Sequence, residues 1–139
     1  MSLMKVLFIC RANVGRSQAA MEFYNQLAPG QGASAGTIVD APGETLKERP
    51  GAIPIIIVMR EYSMDMSDNT RTQLTETMLD DYEKLVVMAE PETVPEWLAN
   101  NPKTVIWNIE DPKGQSLEKT REIATQIKAR VEELAQNPS

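Results

Sequence analysis

Met4-Lys-Val-Leu-Phe-Ile-Cys10-Arg-Ala-Asn13-Val-Gly15-Arg16-Ser17-Gln-Ala-Ala20 is the stretch that decides the fold. Its apolar run, Val6 to Ile9, is too short for a globular helix and has the length of a strand buried on both faces. The run stops at Cys10, a polar stretch containing a glycine follows, and from Ser17 onward Ala20, Met21, Tyr24 and Leu27 recur at helical spacing. The order is therefore strand, loop, helix. A loop from the carboxyl end of a strand to the amino end of a helix presents unpaired backbone N–H groups beside the positive end of the helix dipole, and such loops bind anions.

Cys10 and Arg16 share that loop, in a C-x5-R-S pattern. A thiol at a helix N-terminus beside guanidinium groups is held as the nucleophilic thiolate. Arg16 breaks a local rule, because a cation in the first helical turn faces the wrong end of the dipole at a cost of roughly a few tenths of a kcal/mol. Violations of that kind concentrate at functional sites. The arginine fork fits a tetrahedral oxyanion such as phosphate, and Ser17 supplies a hydroxyl that can hydrogen-bond the sulfur and steady it as a leaving group. Gly15 offers permissive dihedrals, and Asn13 tolerates the left-handed region that a phosphate-wrapping loop needs. With Arg11, Ala12 and Val14 they make residues 11–15 the expected anion cradle. A cysteine at a strand end is ordinarily an inert core residue. That account leaves the arginine, the serine and the asparagine unexplained.

Composition narrows the rest. The 139 residues suffice for a single domain with a core that needs no staples, and 42% hydrophobic with 24% charged residues describes an ordinary globule. A net charge of −6 argues against a nucleic-acid partner. No apolar run approaches the ~20 residues that span a bilayer, and the N-terminal run is too short for a signal peptide, so the chain reads as cytoplasmic with no membrane partner. One cysteine precludes an internal disulfide and fits a reducing compartment. The absence of histidine removes Ser-His-Asp triads, Cys-His dyads, H-E-x-x-H sites and histidine-ligated zinc together. No metal or cofactor is expected, and the thiol must be activated by dipole, amides and arginine. Met1-Ser-Leu3, ahead of a second methionine, reads as a non-native extension.

Along the chain, Ala28-Pro-Gly-Gln-Gly32 is a turn, Ala33 to Val39 a second strand, and Asp40 to Gly51 a loop. Ile53 to Met59 is ambiguous: its β-branched run favours a strand, whereas Pro54 at a first turn and the following Arg60-Glu61-Tyr62 favour a helix. Leu74 to Tyr82 reads as a short helix, Leu85 to Met88 as a third buried strand, Pro95 to Leu98 as a helical turn, and Thr104 to Ile109 as a fourth strand. Ser116 caps a long amphipathic helix carrying Leu117, Ile123, Ile127, Val131 and Leu134. Alternating strands and helices imply an α/β fold: a parallel sheet with helices on both faces and a site at the strands' carboxyl ends. Asp111-Pro112 follows the fourth strand as Cys10 follows the first, so both emerge on one edge of the sheet. Beside an anion-binding cysteine, Asp111 is the candidate general acid and Glu110 its rival.

Cys10-Arg-Ala-Asn-Val-Gly-Arg16-Ser17 resembles the loop of the low-molecular-weight protein tyrosine phosphatase superfamily, which includes arsenate reductases of the same fold. Ser34-Ala-Gly-Thr37, Asp65-Met-Ser67 and Asp111-Pro112 match further family segments in order. The resemblance implies a three-layer α/β/α domain over 1–139 with a four-stranded parallel sheet in the order 2-1-3-4. It also implies a helix at Ile53 to Met59 and places Asp40 to Gly51 beside the site's mouth. The implied activity is hydrolysis of phosphate monoesters, either protein phosphotyrosine or small aryl phosphates, through a phosphocysteine. Cys10, Arg16, Ser17 and Asp111 would be catalytic, and the partner a phosphate ester, which a phosphoprotein could carry. Lys113 stands where tyrosine phosphatases commonly place an aromatic residue, and Asn69 stands near the place of a bracing histidine. Gly15-Arg-Ser-Gln18 is similar to the arsenate reductase form of the loop. With one cysteine, a reductase would need an external thiol or a redoxin. An inactive oxyanion-binding module is the third reading, and the intact Cys10, Arg16, Ser17 and Asp111 argue against it.

Overall fold

The computed structural model describes residues 4–137, so the reading of Met1 to Leu3 lies outside the described residues. Four strands, β1 (Val6–Cys10), β2 (Gly32–Gly36), β3 (Lys84–Val87) and β4 (Thr104–Ile106), form one sheet in the order β2-β1-β3-β4. All three pairings are parallel, with Cys10 opposite Gly36 and Ile9 opposite Val87. Every residue of β1 is buried, as a central parallel strand demands. Val6, Phe8 and Cys10 face one core, and Leu7 and Ile9 face another.

The first core lies under α1 (Arg16–Leu27), α2 (Ile53–Glu61) and α4 (Leu117–Gln136), with Phe8 contacting the rings of Tyr24 and Trp107 at 5.7 and 6.0 Å. The second is covered by Leu74, Leu79 and Leu98, the last on α3 (Glu96–Ala99). Helical layers therefore flank the sheet on both faces, as expected. Residues 53–61 are helical: Pro54 fits the first turn, and Ile55, Ile56, Val58 and Met59 are buried. Ser116 Oγ accepts the Lys119 amide at 3.0 Å and caps α4, whose Ile123, Ile127, Val131 and Leu134 are buried while Leu117 is exposed.

Three expectations need correction. Leu74 to Tyr82 contains only a 3-10 segment, Glu76–Asp81, in which Leu79 is the one buried residue, too few to give a longer helix an apolar face. β2 ends at Gly36 rather than Val39, since beyond it the chain pairs with the loop after β1: the Thr37 and Ile38 amides donate to the Cys10 and Arg11 carbonyls at 2.9 Å. β4 ends at Ile106 rather than Ile109, whose carbonyl accepts from Arg16 instead of a neighbouring strand.

Candidate functional site

Cys10 is the last residue of β1 and Arg16 the first of α1. Between them the backbone wraps a concavity. Among the described residues, no backbone N–H from Arg11 to Ser17 donates to a protein acceptor, and the helix starts at Gly15 without a side-chain cap. Unsatisfied donors at a helix N-terminus form an anion seat. Asn13 has φ 56° and so adopts the left-handed turn expected of it.

Gly15 has an ordinary negative φ of −103°, so the expected need for permissive dihedrals is not its reason for being there. A Cβ at that position would lie 2.8 Å from Pro112 Cγ. Glycine is required because the segment after β4 closes down on the loop.

A polar chain fixes the sulfur. Cys10 Sγ lies 3.0 Å from Ser17 Oγ, which accepts from Asn13 Nδ2 at 2.8 Å and so keeps its hydroxyl hydrogen for the sulfur. Asn13 Oδ1 accepts from the Thr72 amide and from Gln18 Nε2, at 2.8 and 3.2 Å. The brace that the family likeness assigns to a histidine is thus supplied here by Gln18 and a backbone amide. Asn69 acts one step further out, donating to Gln18 and Glu22.

Arg16 is 3% exposed. Its Nη1 donates to the Met88 and Ile109 carbonyls at 2.7 and 3.1 Å, and Glu90 takes Nη1 and Nη2 at 3.0 and 3.1 Å. The Nε–H has no acceptor among the described residues and stays available toward the cavity that Arg16 lines. Burial opposes the charge on Arg16, yet the Glu90 hydrogen bonds with the charges of Cys10, Asp111 and Glu90 hold its pKa above the ordinary arginine value. The same bond draws the Glu90 carboxyl below the usual range. Nothing in the sequence singled out Glu90; its place after β3, beside β1 in the sheet, is the signal that could have found it.

Asp111 Oδ2 stands 3.8 Å from Arg16 Nη2, while Oδ1 accepts the Lys113 amide at 3.0 Å, an Asx turn that fixes the carboxylate over the loop. Glu110 bonds Gln115 and Lys119 instead. The cavity, about 130 Å³, is lined by Cys10, Ala12, Val14, Gly15, Arg16 and Asp111 from the expected set. Arg11, Asn13 and Ser17 lie outside its lining. Arg49, Pro50, Gly51, Ile55, Pro112 and Lys113 complete the wall, so the loop before α2 does stand at the mouth.

A second buried arginine secures this mouth. Arg71 donates to the Ala12 carbonyl through Nε and Nη2, at 3.1 and 3.0 Å, and to Asp40 and Glu44 through Nη1, at 2.8 and 2.9 Å. Arg49 bonds the same two carboxylates. The hydrogen bond from Arg71, followed by that from Arg49, lowers the Asp40 carboxyl to about 2. Arg71 lies in a polar stretch with no periodicity to mark it as core, which is why the sequence concealed it.

The profile of the low molecular weight phosphotyrosine protein phosphatase family matches residues 5–138. The chain belongs to that family, whose phosphatases and arsenate reductases share this sheet. The glutaredoxin arsenate reductase of Synechocystis is 33% identical over 132 residues, 94% of this chain and 95% of that protein. A solved arsenate reductase in its phosphate-binding state is 30% identical, with a TM-score of 0.76 and 100% of each chain covered. Wzb of Vibrio vulnificus, solved with benzylphosphonate, is 24% identical with a TM-score of 0.80 over 97% of this chain and 99% of that one, a likeness of fold. No helix among the described residues is long and apolar enough to cross a membrane.

Proposed function

We propose that the chain hydrolyses phosphate monoesters through a phosphocysteine. One observation carries the reading: the Asp111 carboxylate stands 3.8 Å from the buried Arg16 on the wall of the cavity that holds Cys10, in a chain with no other cysteine. The free N–H groups of residues 11–17 and Arg16 hold the equatorial oxygens. The Cys10 thiolate attacks phosphorus in line, the S–P bond forms as the P–O bond breaks, and Asp111 gives its proton to the departing oxygen. Water then attacks phosphorus, Asp111 takes back a proton, and the sulfur leaves, stabilised by the Ser17 hydroxyl.

A second reading, arsenate reduction, is favoured by the relatives of 33 and 30% identity. Cys10 would condense with arsenate to a thioester and lose water. One external thiol would attack that adduct, releasing arsenite and leaving a mixed disulfide on Cys10. A second would free Cys10 and depart as the oxidised disulfide, so both electrons come from a low-molecular-weight thiol or a redoxin. The test is to assay aryl phosphate hydrolysis beside arsenate reduction supplied with glutathione and glutaredoxin. Turnover of the ester without added thiol is expected. Sustained, thiol-dependent arsenite release alongside negligible ester hydrolysis would replace the first reading by the second.

A further inference from the structure

One cation at the cavity mouth stands outside its ion pairs. Arg49, the cation on one side, is already shared between Asp40 and Glu44, and Arg71 engages the same two carboxylates, so two arginines and two acids close a network of zero net charge. Arg16, deeper in, is matched by Glu90 at 3.0 Å and by Asp111 at 3.8 Å. Lys113 lines the opposite side and makes no ion pair among the described residues. Its stem reaches across the opening: a Cβ on Gly51 would lie 4.0 Å from Lys113 Cγ. The rest of the outer wall is aliphatic, formed by Pro50, Ile55 and Pro112, with no aromatic ring to stack on a substrate.

We infer that Lys113 is a specificity-determining residue, selecting substrates in which the phosphoryl group is accompanied by a second anionic group beyond the ester oxygen. The inference rests on the oxyanion site proposed above and adds the class of molecule that enters it. A phosphoryl group seated against residues 11–17 directs its organic part outward past Ile55 and Pro50. A carboxylate at the far end of a short spacer then meets Lys113, the cation of the lining that makes no ion pair among the described residues.

The test uses non-hydrolysable ligands, so that it does not depend on which reaction the enzyme performs. Affinities of benzylphosphonate and 4-carboxybenzylphosphonate are measured by calorimetry on the wild-type chain and on Lys113→Ala, Lys113→Glu and Lys113→Arg. The wild type should bind the carboxylated ligand roughly three-fold or more tighter, in the range of a partly exposed ion pair. That ratio should fall to about one in Lys113→Ala, invert in Lys113→Glu, persist in Lys113→Arg, and shrink as salt is raised. Equal affinities in the wild type, or an unchanged ratio in Lys113→Ala, would overturn the inference, as would a failure of either ligand to bind. Loss of both affinities in equal proportion in Lys113→Ala would also overturn it, marking Lys113 as a general anion contact. Hydrolysis of 4-carboxyphenyl phosphate, assayed separately, tests the phosphatase reading and leaves the binding ratio unaffected.

Discussion

Glu90 holds Arg16 by both carboxylate oxygens, at 3.0 and 3.1 Å, and so fixes the plane of the guanidinium before any anion arrives. Because Arg16 is almost wholly buried, removing its partner leaves a charge held by two backbone carbonyls and, at 3.8 Å, by the more exposed Asp111. Glu90→Ala should cost about 2 kcal/mol, less than a fully buried pair because 31% of the Glu90 side chain is exposed. Thermal unfolding would show this, and inorganic phosphate should bind more weakly in the same variant. Unchanged stability and phosphate affinity would mean that the carbonyls and Asp111 suffice to orient Arg16.

Cys10→Ser should abolish ester hydrolysis while phosphate still binds, because the amides that seat the anion belong to the backbone. Asp111→Asn should slow turnover by roughly a hundred-fold or more, most for esters with poor leaving groups. If Asp111→Asn matched the wild type on an alkyl phosphate, water would be the proton donor, since Glu110 faces Gln115 and Lys119.

Gly15→Ala should push Pro112 outward, since the new Cβ would meet Pro112 Cγ at 2.8 Å. The φ of −103° suits alanine, so backbone strain is not involved. Turnover should drop roughly ten-fold or more through displacement of Asp111, with phosphate inhibition little changed. Adding Pro112→Ala should recover most of the rate; a double variant as slow as the single would show that the defect lies in the anion loop itself.

Arg71→Lys is expected to destabilise the chain by about 3 kcal/mol, because lysine cannot reproduce a fork that serves one carbonyl and two carboxylates at once. Calorimetry reads the loss. Since Ala12 then loses its anchor, KM for a phosphate ester should rise in the variant as well.

Asp40 has a carboxyl lowered from 3.8 to about 2, chiefly by the hydrogen bond from Arg71. A depressed carboxylate contributes stability above its unfolded pKa and loses it as pH falls through the folded value, so the contribution should vanish between about pH 4 and 2. Asp40→Asn should flatten the stability profile in that window and leave its slope above pH 5 unchanged. The effect is small because the side chain is 66% exposed. Identical acid limbs in the two proteins would show that other carboxylates govern acid unfolding.

β1, β3, α1, α4 and the loop between Cys10 and Ser17 were legible in the chain because each is specified locally, whereas the ends of β2 and β4 were set by partners far along the chain. A buried parallel strand needs a short continuous apolar run, as Val6 to Ile9 supplies, and an amphipathic helix needs a repeat such as Ile123, Ile127, Val131 and Leu134. Asn13 in a left-handed turn is likewise a property of one residue and its neighbours. The segment 53–61 was undecided by propensity, and became a helix because Ile55, Ile56, Val58 and Met59 had a core to enter.

Glu90, Arg71 and Arg49 belong to the other category. Glu90 lies 74 positions from Arg16, and Arg71 lies 59 from Ala12, so no spacing rule connects them. Only the adjacency of β1 and β3 brings Glu90 to Arg16, and only the return of residues 69–73 over the loop carries Arg71 beneath Ala12. The sequence by itself determined which thiol and which loop could seat an anion. The tertiary structure decided how Arg16 is held, why residue 15 must lack a side chain, and which cation remains free at the mouth, because each depends on partners that only the closed sheet brings within hydrogen-bonding distance.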